Sequence, residues 1–217
     1  MDGAARRERL SRARLYLVLE ARPRGEDPAP LLDAALRGGV DVVQLRDKEL
    51  QDDALVRTAA VFRRACDAHG ALFVLNDRPD LVEAAAADGV HVGQADTPAV
   101  LARAAVGPER LVGLSVSSQG ELAAAAGTDV DYLGVGAVYG TPTKPDAESV
   151  GLELVRAAAG QARVPWFAIG GVDLSNAAEL AAAGAPGIAV VRAIRDAADP
   201  EAAARALRAA LGEPSPA

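Results

Sequence analysis

The chain has 217 residues, of which 50% are hydrophobic and 24% are charged, so it is long enough for one domain with a sizeable core. A net charge of −7 excludes the broad basic face of a nucleic-acid-binding protein, although a local group of Lys and Arg can still bind a small anion. No run approaches the roughly 20 apolar residues that cross a bilayer. The apolar run LYLVL near the start is too short for the core of a signal peptide.

Segments typical of strands and of helices alternate along the whole chain. Short runs rich in Val, Leu and Ile, typical of strands covered on both faces, occupy residues 15–19, 40–45, 71–76, 89–94, 110–115, 130–136, 164–170 and 187–191. Ala- and Leu-rich helical patterns lie between them, in order PLLDAALRG, DDALVRTAAVFRRACDAHG, DLVEAAAAD, AVLARAAVG, GELAAAAG, LELVRAAAG, SNAAELAAAG and PEAAARALRAAL. Strict alternation of this kind implies parallel strands joined by right-handed crossovers.

The strand and helix units predict an α/β fold, a single (β/α)8 TIM barrel over residues 15–211. An open doubly wound sheet is the alternative, but no Gly-x-Gly-x-x-Gly follows the first strand. We expect residues 1–14 to be a flexible N-terminal arm and residues 212–217 to be a disordered C-terminal tail. The single cysteine, Cys66, cannot form an internal disulfide. It suits a reducing cytoplasm, and its helical pattern favours packing over catalysis.

Polar residues are concentrated after the strands, at the end of a barrel where active sites are built. Arg46 and Lys48 follow the second strand and Lys144 follows the sixth, so three cations meet at this rim. Gln44 alternates with Arg46 and Lys48, which predicts that the three side chains share one face. Asp77 and Asp96 follow the neighbouring third and fourth strands. Two such carboxylates are close enough to share a hard cation such as Mg²⁺.

The loops after the seventh and eighth strands offer a second site for an anion. Gly170 and Gly171 end one strand, and backbone amides around Val191 and Arg192 follow the other, where barrels commonly hold a phosphate. Taken alone, each motif also fits a simpler interpretation: solvated charges in QLRDK, a turn in NDRP, a tight Gly-Gly turn, and a packed histidine at His91. Their concentration on one rim favours an active site.

These groups together indicate a transferase. A metal surrounded by cations stabilises the charge that builds on a departing diphosphate, and a separate phosphate cradle indicates a second, phosphorylated substrate. The sequence offers no convincing Ser-His-Asp arrangement and no nucleophilic lysine within a strand.

The motifs VVQLRDK, LNDRPDL, GVHVGQADTP, VGLSV, DYLGVGAVYGTPTK, AIGGV and GIAVVRAI occur in this order. In these motifs the chain resembles the thiamine-phosphate synthase family over nearly its whole length. The resemblance implies a Mg²⁺-dependent (β/α)8 enzyme that joins the diphosphate ester of 4-amino-5-hydroxymethyl-2-methylpyrimidine to the phosphate of a thiazole alcohol. The products are thiamine phosphate and diphosphate, formed through an open, cation-like transition state. Its partners are small molecules only, and the oligomeric state stays open, a homo-oligomer included.

The resemblance also implies a role for each matching residue. The pyrimidine diphosphate would be held by Gln44, Arg46, Lys48, Asn76, Ser115 and Lys144, of which Arg46, Lys48, Ser115 and Lys144 also serve the chemical step. Mg²⁺ would be bound by Asp77 and Asp96. The thiazole phosphate would be held by Thr141, Pro142, Thr143, Gly171, Val191 and Arg192. Many members have Ser in place of Arg192, which leaves the role of its side chain open.

Two other functions are compatible with a barrel of this kind. A thiazole tautomerase resembles this chain less at QLR-x-K and T-x-TK, and it tends to carry a histidine where Ser117 stands. A phosphate-sensing barrel without catalysis needs neither a leaving-group site nor both carboxylates. The full set of cations and carboxylates therefore favours the synthase.

Overall fold

The computed structural model describes residues 1–140 and 149–212. At its centre the strands form a closed parallel barrel in sequence order, and the first strand pairs with the last, Leu15 lying opposite Ile188. The strands are β1 Leu15–Leu19, β2 Val42–Leu45, β3 Leu72–Asn76, β4 Gly89–Val92, β5 Leu111–Val116, β6 Tyr132–Val135, β7 Trp166–Ile169 and β8 Ile188–Val190. The predicted TIM barrel is confirmed.

The helices lie outside the barrel or across one of its ends. Their bounds are α1 Gly3–Arg12, α2 Pro28–Arg37, α3 Asp52–His69, α4 Ala99–Val106, α5 Gln119–Ala125, α6 Gly151–Gln161, α7 Ala177–Ala182, α8 Arg192–Arg195 and α9 Pro200–Ala210. None of the helices in the described part of the chain is long and apolar enough to cross a membrane.

The prediction of a helix in DLVEAAAAD is wrong. A short 3-10 helix, Pro79–Leu81, and a series of turns connect β3 to β4 instead. Ala86 adopts a φ of 52°, a left-handed conformation that interrupts a right-handed helix. The composition of this segment favours a helix, but the short connection between two adjacent strands leaves room only for turns.

Alternate side chains of the strands fill the inside of the barrel, while the others pack against the helices, because successive side chains of a strand point to opposite faces. The interior cluster contains Leu10, Tyr16, Val18, Val42, Leu72, Val74, Leu111, Tyr132, Phe167 and Ala189. The barrel is therefore a packed core and not a pore.

Residues 3–12 form a helix, so the predicted flexible arm is wrong there. Asp2 caps α1 by accepting a hydrogen bond from the Ala5 amide at 2.8 Å. Leu10 is buried in the interior cluster, and the Arg6 guanidinium lies 2.9 Å from the buried carboxylate of Asp88. The basic residues of this segment look solvated in the sequence because their partner is far along the chain. Residues 213–217 of the predicted tail lie outside the described residues.

Cys66 is a packing residue of α3. Its thiol is free and fully buried, and burial raises its pKa to about 12. Because the thiolate is the reactive form of cysteine, this side chain is inert at neutral pH. The predicted packing role is confirmed.

Asp88 joins α1 to the amino-terminal end of the barrel. Its carboxylate accepts hydrogen bonds from Arg6 Nε at 2.9 Å, Arg63 Nη1 at 2.7 Å and the Phe73 amide at 2.9 Å. Burial acts to raise the pKa of Asp88, but the Phe73 amide and the two guanidinium groups outweigh it, so the pKa lies below its usual value. The ionised carboxylate therefore stabilises the fold.

We expect Asp88→Asn to lower the free energy of unfolding by about 3–5 kcal/mol, because it leaves two largely buried guanidinium groups without a counter-charge. Urea unfolding at pH 7 measures this. Because the pKa of Asp88 is lower in the folded state than its unfolded value of about 3.9, the carboxylate stabilises the fold above that pH. This stability is lost as the pH falls through the folded pKa, so the free energies of unfolding of the two proteins should converge in acid. Glu8→Gln breaks the exposed Glu8–Arg12 pair of the same helix and should cost less than about 0.5 kcal/mol. Equal losses in both variants would contradict this role.

Candidate active site

The carboxyl ends of β2, β3 and β4 bring a cation and two carboxylates together. Lys48 Nζ lies 3.1 Å from Asp77 Oδ2 and 3.9 Å from Asp96 Oδ1. Because one ammonium group reaches both carboxylates, the two side chains converge on a single point above the barrel.

The backbone at Asp77 is held in an unusual conformation. Its φ is 59°, in the left-handed region that Asp tolerates better than most residues. The Asp77 amide donates to the His91 carbonyl at 2.9 Å, and Asn76 Nδ2 donates to Asp77 Oδ2 at 2.6 Å. Asp96 is held through a hydrogen bond from the Gly93 amide to its Oδ2 at 3.0 Å. Residues fixed in such sparsely populated conformations cluster at functional sites.

The site concentrates negative charge. Burial raises the pKa of Asp77 above its usual value, Lys48 opposes this rise, and the neighbouring Asp96 carboxyl adds to it. With Asp77 ionised, the folded protein is therefore less stable until a cation stronger than Lys48 binds there. In residues 1–140 and 149–212 no group of three or more His, Cys, Asp or Glu side chains is arranged for a metal. Two carboxylates suffice for Mg²⁺, which keeps several waters and takes further oxygens from substrate phosphates.

A glycine turn after β7 forms the second part of the rim. Gly171 has a φ of 63° and Gly170 a φ of 98°. A Cβ atom at Gly171 would lie 2.7 Å from Tyr139 Cβ and 2.8 Å from the Gly140 oxygen. Asn176 Nδ2 holds the turn by donating to the Gly171 oxygen at 2.9 Å. Both the left-handed φ and the close approach of backbone to backbone require glycine.

The remaining predicted site residues differ in where they lie. At the end of β8, Val191 is half-buried and precedes α8, whose first residue, Arg192, is exposed. Arg46 is half-buried. The predicted residues of the TPTK segment, Thr141, Pro142, Thr143 and Lys144, lie outside the described residues.

Gln44 does not share an open face with Lys48 as its alternation predicted. The Gln44 side chain is buried inside the barrel, with 3% of the residue exposed, whereas 53% of the Lys48 side chain is exposed. β2 ends at Leu45, so the alternation of side chains does not continue as far as Lys48.

Sequence reasoning missed the interior partners of Gln44 and Ser115. Gln44 Nε2 lies 2.8 Å from Tyr16 Oη, which lies 3.0 Å from Tyr132 Oη. Tyr132 Oη lies 3.2 Å from His91 Nδ1, and His91 Nε2 lies 2.9 Å from Ser115 Oγ. His91 packs in the barrel as predicted, with its ring centroid 5.4 Å from that of Tyr132. Tyr, His and Ser residues within otherwise apolar strands are the signal that could have revealed these contacts, because each carries a hydrogen-bonding group into the interior.

The chain is similar in sequence to a known family of proteins. A family model described as thiamine monophosphate synthase matches residues 15–194. Thiamine-phosphate synthase of Thermobifida fusca is 49% identical over 208 residues, which cover 94% of this chain and 95% of the relative. The enzyme of Thermosynechococcus vestitus is 47% identical over 97% of this chain, which spans 60% of the length of that relative.

Solved structures agree with the sequence matches. Thiamine phosphate pyrophosphorylase from Pyrococcus furiosus superposes with a TM-score of 0.85 and 33% identity, covering 93% of this chain and 96% of that chain. A geranylgeranylglyceryl phosphate synthase from Thermoplasma acidophilum shares the fold, with a TM-score of 0.71 at 14% identity.

Proposed function

This chain belongs to the thiamine-phosphate synthase family, and we propose that it transfers the aminopyrimidine methylene group from diphosphate to the nitrogen of a thiazole phosphate. The products are thiamine phosphate and diphosphate. The observation that carries this proposal is the convergence of Lys48, Asp77 and Asp96 on one point of the rim, while a separate glycine turn follows β7 at the same end of the barrel. One part suits a leaving diphosphate with its metal, and the other suits a second phosphate.

Asp77 and Asp96 would hold Mg²⁺, which supplies Lewis-acid stabilisation of the leaving diphosphate. The donor set fits this ion because two carboxylates meet at one point and leave its other positions to water and phosphate oxygens. The pKa of Asp77 is raised first by burial and further by Asp96, and this fits as well, since a divalent cation would stabilise the ionised carboxylates.

The protein side chains stabilise charge and position the two substrates. Arg46, Lys48 and Lys144 would take up the negative charge that develops on diphosphate as its bond to the methylene carbon breaks. The amino-pyrimidine ring delocalises the positive charge left on that carbon, and the thiazole nitrogen then forms the new bond to it. No protein nucleophile is needed. Holding two reactants in place is worth up to about 7–11 kcal/mol.

The glycine turn would hold the thiazole phosphate. We expect Gly171→Val to weaken binding of the thiazole phosphate by about tenfold or more, because a side chain meets Tyr139 and Gly140 and strains the left-handed backbone. Binding of the pyrimidine diphosphate should be nearly unchanged. Isothermal titration with each ligand separately measures this. Gly160→Ala is the matched control, since a Cβ there meets nothing within 4 Å. Equal weakening of both ligands by Gly171→Val would remove the assignment.

Incubation of the protein with both substrates and Mg²⁺ tests the proposed function, with chromatographic detection of thiamine phosphate and diphosphate. We expect both products in equal amounts, and neither when one substrate is omitted or EDTA is added. Isomerisation of a thiazole phosphate without the pyrimidine substrate would instead indicate a tautomerase, and absence of any product would contradict the proposal. We place the enzyme in the cytoplasm, acting on small molecules, because its single cysteine is free, which suits a reducing compartment.

A further inference from the structure

A continuous series of hydrogen bonds crosses the inside of the barrel. It connects five side chains on five different strands, in the order Gln44, Tyr16, Tyr132, His91 and Ser115, with distances of 2.8, 3.0, 3.2 and 2.9 Å. We call this series the interior chain. Its first three members are almost completely buried, and its last member, Ser115, lies half-buried near the carboxyl end of β5. The interior chain therefore leads from the core of the barrel to its mouth.

Two glycines make room for the interior chain. A Cβ atom at Gly113 would lie 2.1 Å from Tyr132 Cζ, and one at Gly134 would lie 3.2 Å from His91 Cε1. Neither glycine has the left-handed φ that would by itself call for glycine. The space needed by the two rings therefore explains both residues, and the position of the rings is built into the strands on either side.

The Gln44 amide, with its nitrogen facing Tyr16 Oη, implies one direction for the hydrogens of the interior chain. An amide nitrogen only donates, so Tyr16 Oη accepts from Gln44, and Tyr132 is then the acceptor for the hydrogen of Tyr16. Burial raises the pKa of both phenols well above the usual value, so each carries one hydrogen. The hydrogen of Tyr132 in turn points to His91 Nδ1. A neutral imidazole whose Nδ1 accepts carries its hydrogen on Nε2, and this hydrogen is donated to Ser115 Oγ.

We propose that His91 is a positioning residue: the interior chain holds it as the Nε2–H tautomer, which fixes Ser115 as an acceptor and turns the Ser115 hydroxyl hydrogen toward the barrel mouth. Ser115 is thereby presented to the substrate as a hydrogen-bond donor. A substrate group that accepts hydrogen bonds, such as an aromatic ring nitrogen, would meet a hydroxyl already oriented for it. The part that concerns the substrate rests on the proposed function, whereas the direction of the chain and the tautomer do not.

If the hydrogens of the interior chain ran the other way, His91 would be the other tautomer. If the Gln44 amide presented its oxygen to Tyr16, every hydrogen would reverse, and His91 would carry its hydrogen on Nδ1. Ser115 would then donate to His91 and only accept from a substrate. The protonated nitrogen of His91 therefore distinguishes the two directions, and it can be measured in the protein without substrate.

Nitrogen NMR of the histidine rings tests the proposal at neutral pH. Of the two histidines in the chain, His69 is partly exposed and pairs with Asp33, so His69→Asn leaves the His91 signals alone for assignment. We expect a hydrogen on His91 Nε2 and none on Nδ1, which accepts from Tyr132. A hydrogen on Nδ1, or on both nitrogens, would overturn the proposal.

Two variants change the direction deliberately. Gln44→Glu, studied at a pH high enough to ionise the introduced carboxyl, replaces the donor by a group that only accepts, so Tyr16 must donate to it and the His91 hydrogen should move to Nδ1. Gln51→Glu makes the same chemical change at an exposed glutamine just before α3 that lies outside the interior chain, and the tautomer should stay as it is. Tyr16→Phe removes one hydroxyl and should give a mixture of tautomers, which serves if Gln44→Glu does not fold. An unchanged tautomer in a folded Gln44→Glu or Tyr16→Phe protein would refute the proposal.

Binding of the pyrimidine diphosphate tests whether His91 acts through Ser115. We expect His91→Phe to raise Kd by about tenfold in the parent protein, the scale of one lost hydrogen bond, and to change it little in the Ser115→Ala background. Equal effects in both backgrounds would show that His91 acts independently of Ser115. If the unaltered protein does not bind this ligand at all, the proposed function fails, while the NMR result still decides the direction of the interior chain.

Discussion

Asp77→Ala should lower turnover by about 100-fold or more at limiting Mg²⁺, the scale of losing a main source of electrostatic stabilisation in the transition state. Asp77 shares the Lys48 contact with Asp96, so Asp96→Ala should have a similar effect. Steady-state kinetics over a range of Mg²⁺ concentrations measure both. Near-normal turnover of either variant at limiting Mg²⁺ would show that the altered residue is not a ligand.

In the enzyme without metal, replacing the Asp77 carboxylate by an amide should increase the stability of the fold. The pKa of Asp77 is higher in the folded than in the unfolded protein. Such a carboxyl group stabilises the fold below its unfolded pKa, and this stability is lost as the pH rises through the folded pKa. At pH 7 the Asp77 carboxylate therefore costs stability. We expect Asp77→Asn in EDTA to melt about 2–4 °C higher than the parent protein, a shift that corresponds to roughly 1 kcal/mol at this chain length. The pair with the half-exposed Lys48 contributes little to the balance.

Mg²⁺ and pH provide the controls for this experiment. The advantage of Asp77→Asn should shrink as pH falls toward 4, where the carboxyl of the parent protein takes up a proton. Added Mg²⁺ should raise Tm of the parent protein and not that of the variant, because only a folded state that binds the ion is stabilised by it. Asp80→Asn is the matched change on the same loop, at an exposed carboxylate paired with Arg78. It should leave turnover near normal and give no rise in Tm. A rise equal to that of Asp77→Asn would contradict the electrostatic explanation.

The second large effect concerns Lys144, which we assign to the leaving diphosphate. Its contact should strengthen as charge builds on that group, and an interaction made mainly in the transition state lowers the barrier more than it tightens binding. We expect Lys144→Ala to lower kcat by about 100-fold with a smaller rise in KM. Steady-state kinetics with each substrate varied in turn measure this. An effect on KM alone would make the lysine a binding residue outside the chemical step.

Thr143→Ala is the neighbouring comparison. Its assigned partner is the thiazole phosphate, so it should raise KM for that substrate with only a modest change in kcat. Lys144→Arg separates charge from geometry. Lys48 and Lys144 are the two lysines of the chain. An ammonium is a compact point charge and a guanidinium is a planar fork, so we expect Lys144→Arg to recover only part of the lost kcat.

The sequence alone determined the barrel and the meeting of Lys48, Asp77 and Asp96 at its rim. Apolar runs such as LYLVL alternate with Ala-rich helical patterns, and this periodicity depends only on neighbours along the chain. Because parallel strands all end at one rim, residues that follow strands, such as Lys48, Asp77 and Asp96, had to meet there. The end of β2 at Leu45 was predicted correctly, but the alternation of side chains was carried beyond it to Lys48, and Gln44 lies inside the barrel instead.

Only the tertiary structure decided which distant partners the polar side chains find. Arg6 looks like part of a solvated basic arm until Asp88, 82 residues away, accepts its hydrogen bond. Tyr16 and Tyr132 look like core aromatics, yet they meet across 116 residues and connect Gln44 to His91. The segment after β3 has the composition of a helix, but a short connection forces it into turns. Composition and periodicity are local properties, whereas a hydrogen bond between distant strands depends on register, barrel closure and the space that Gly113 and Gly134 leave free.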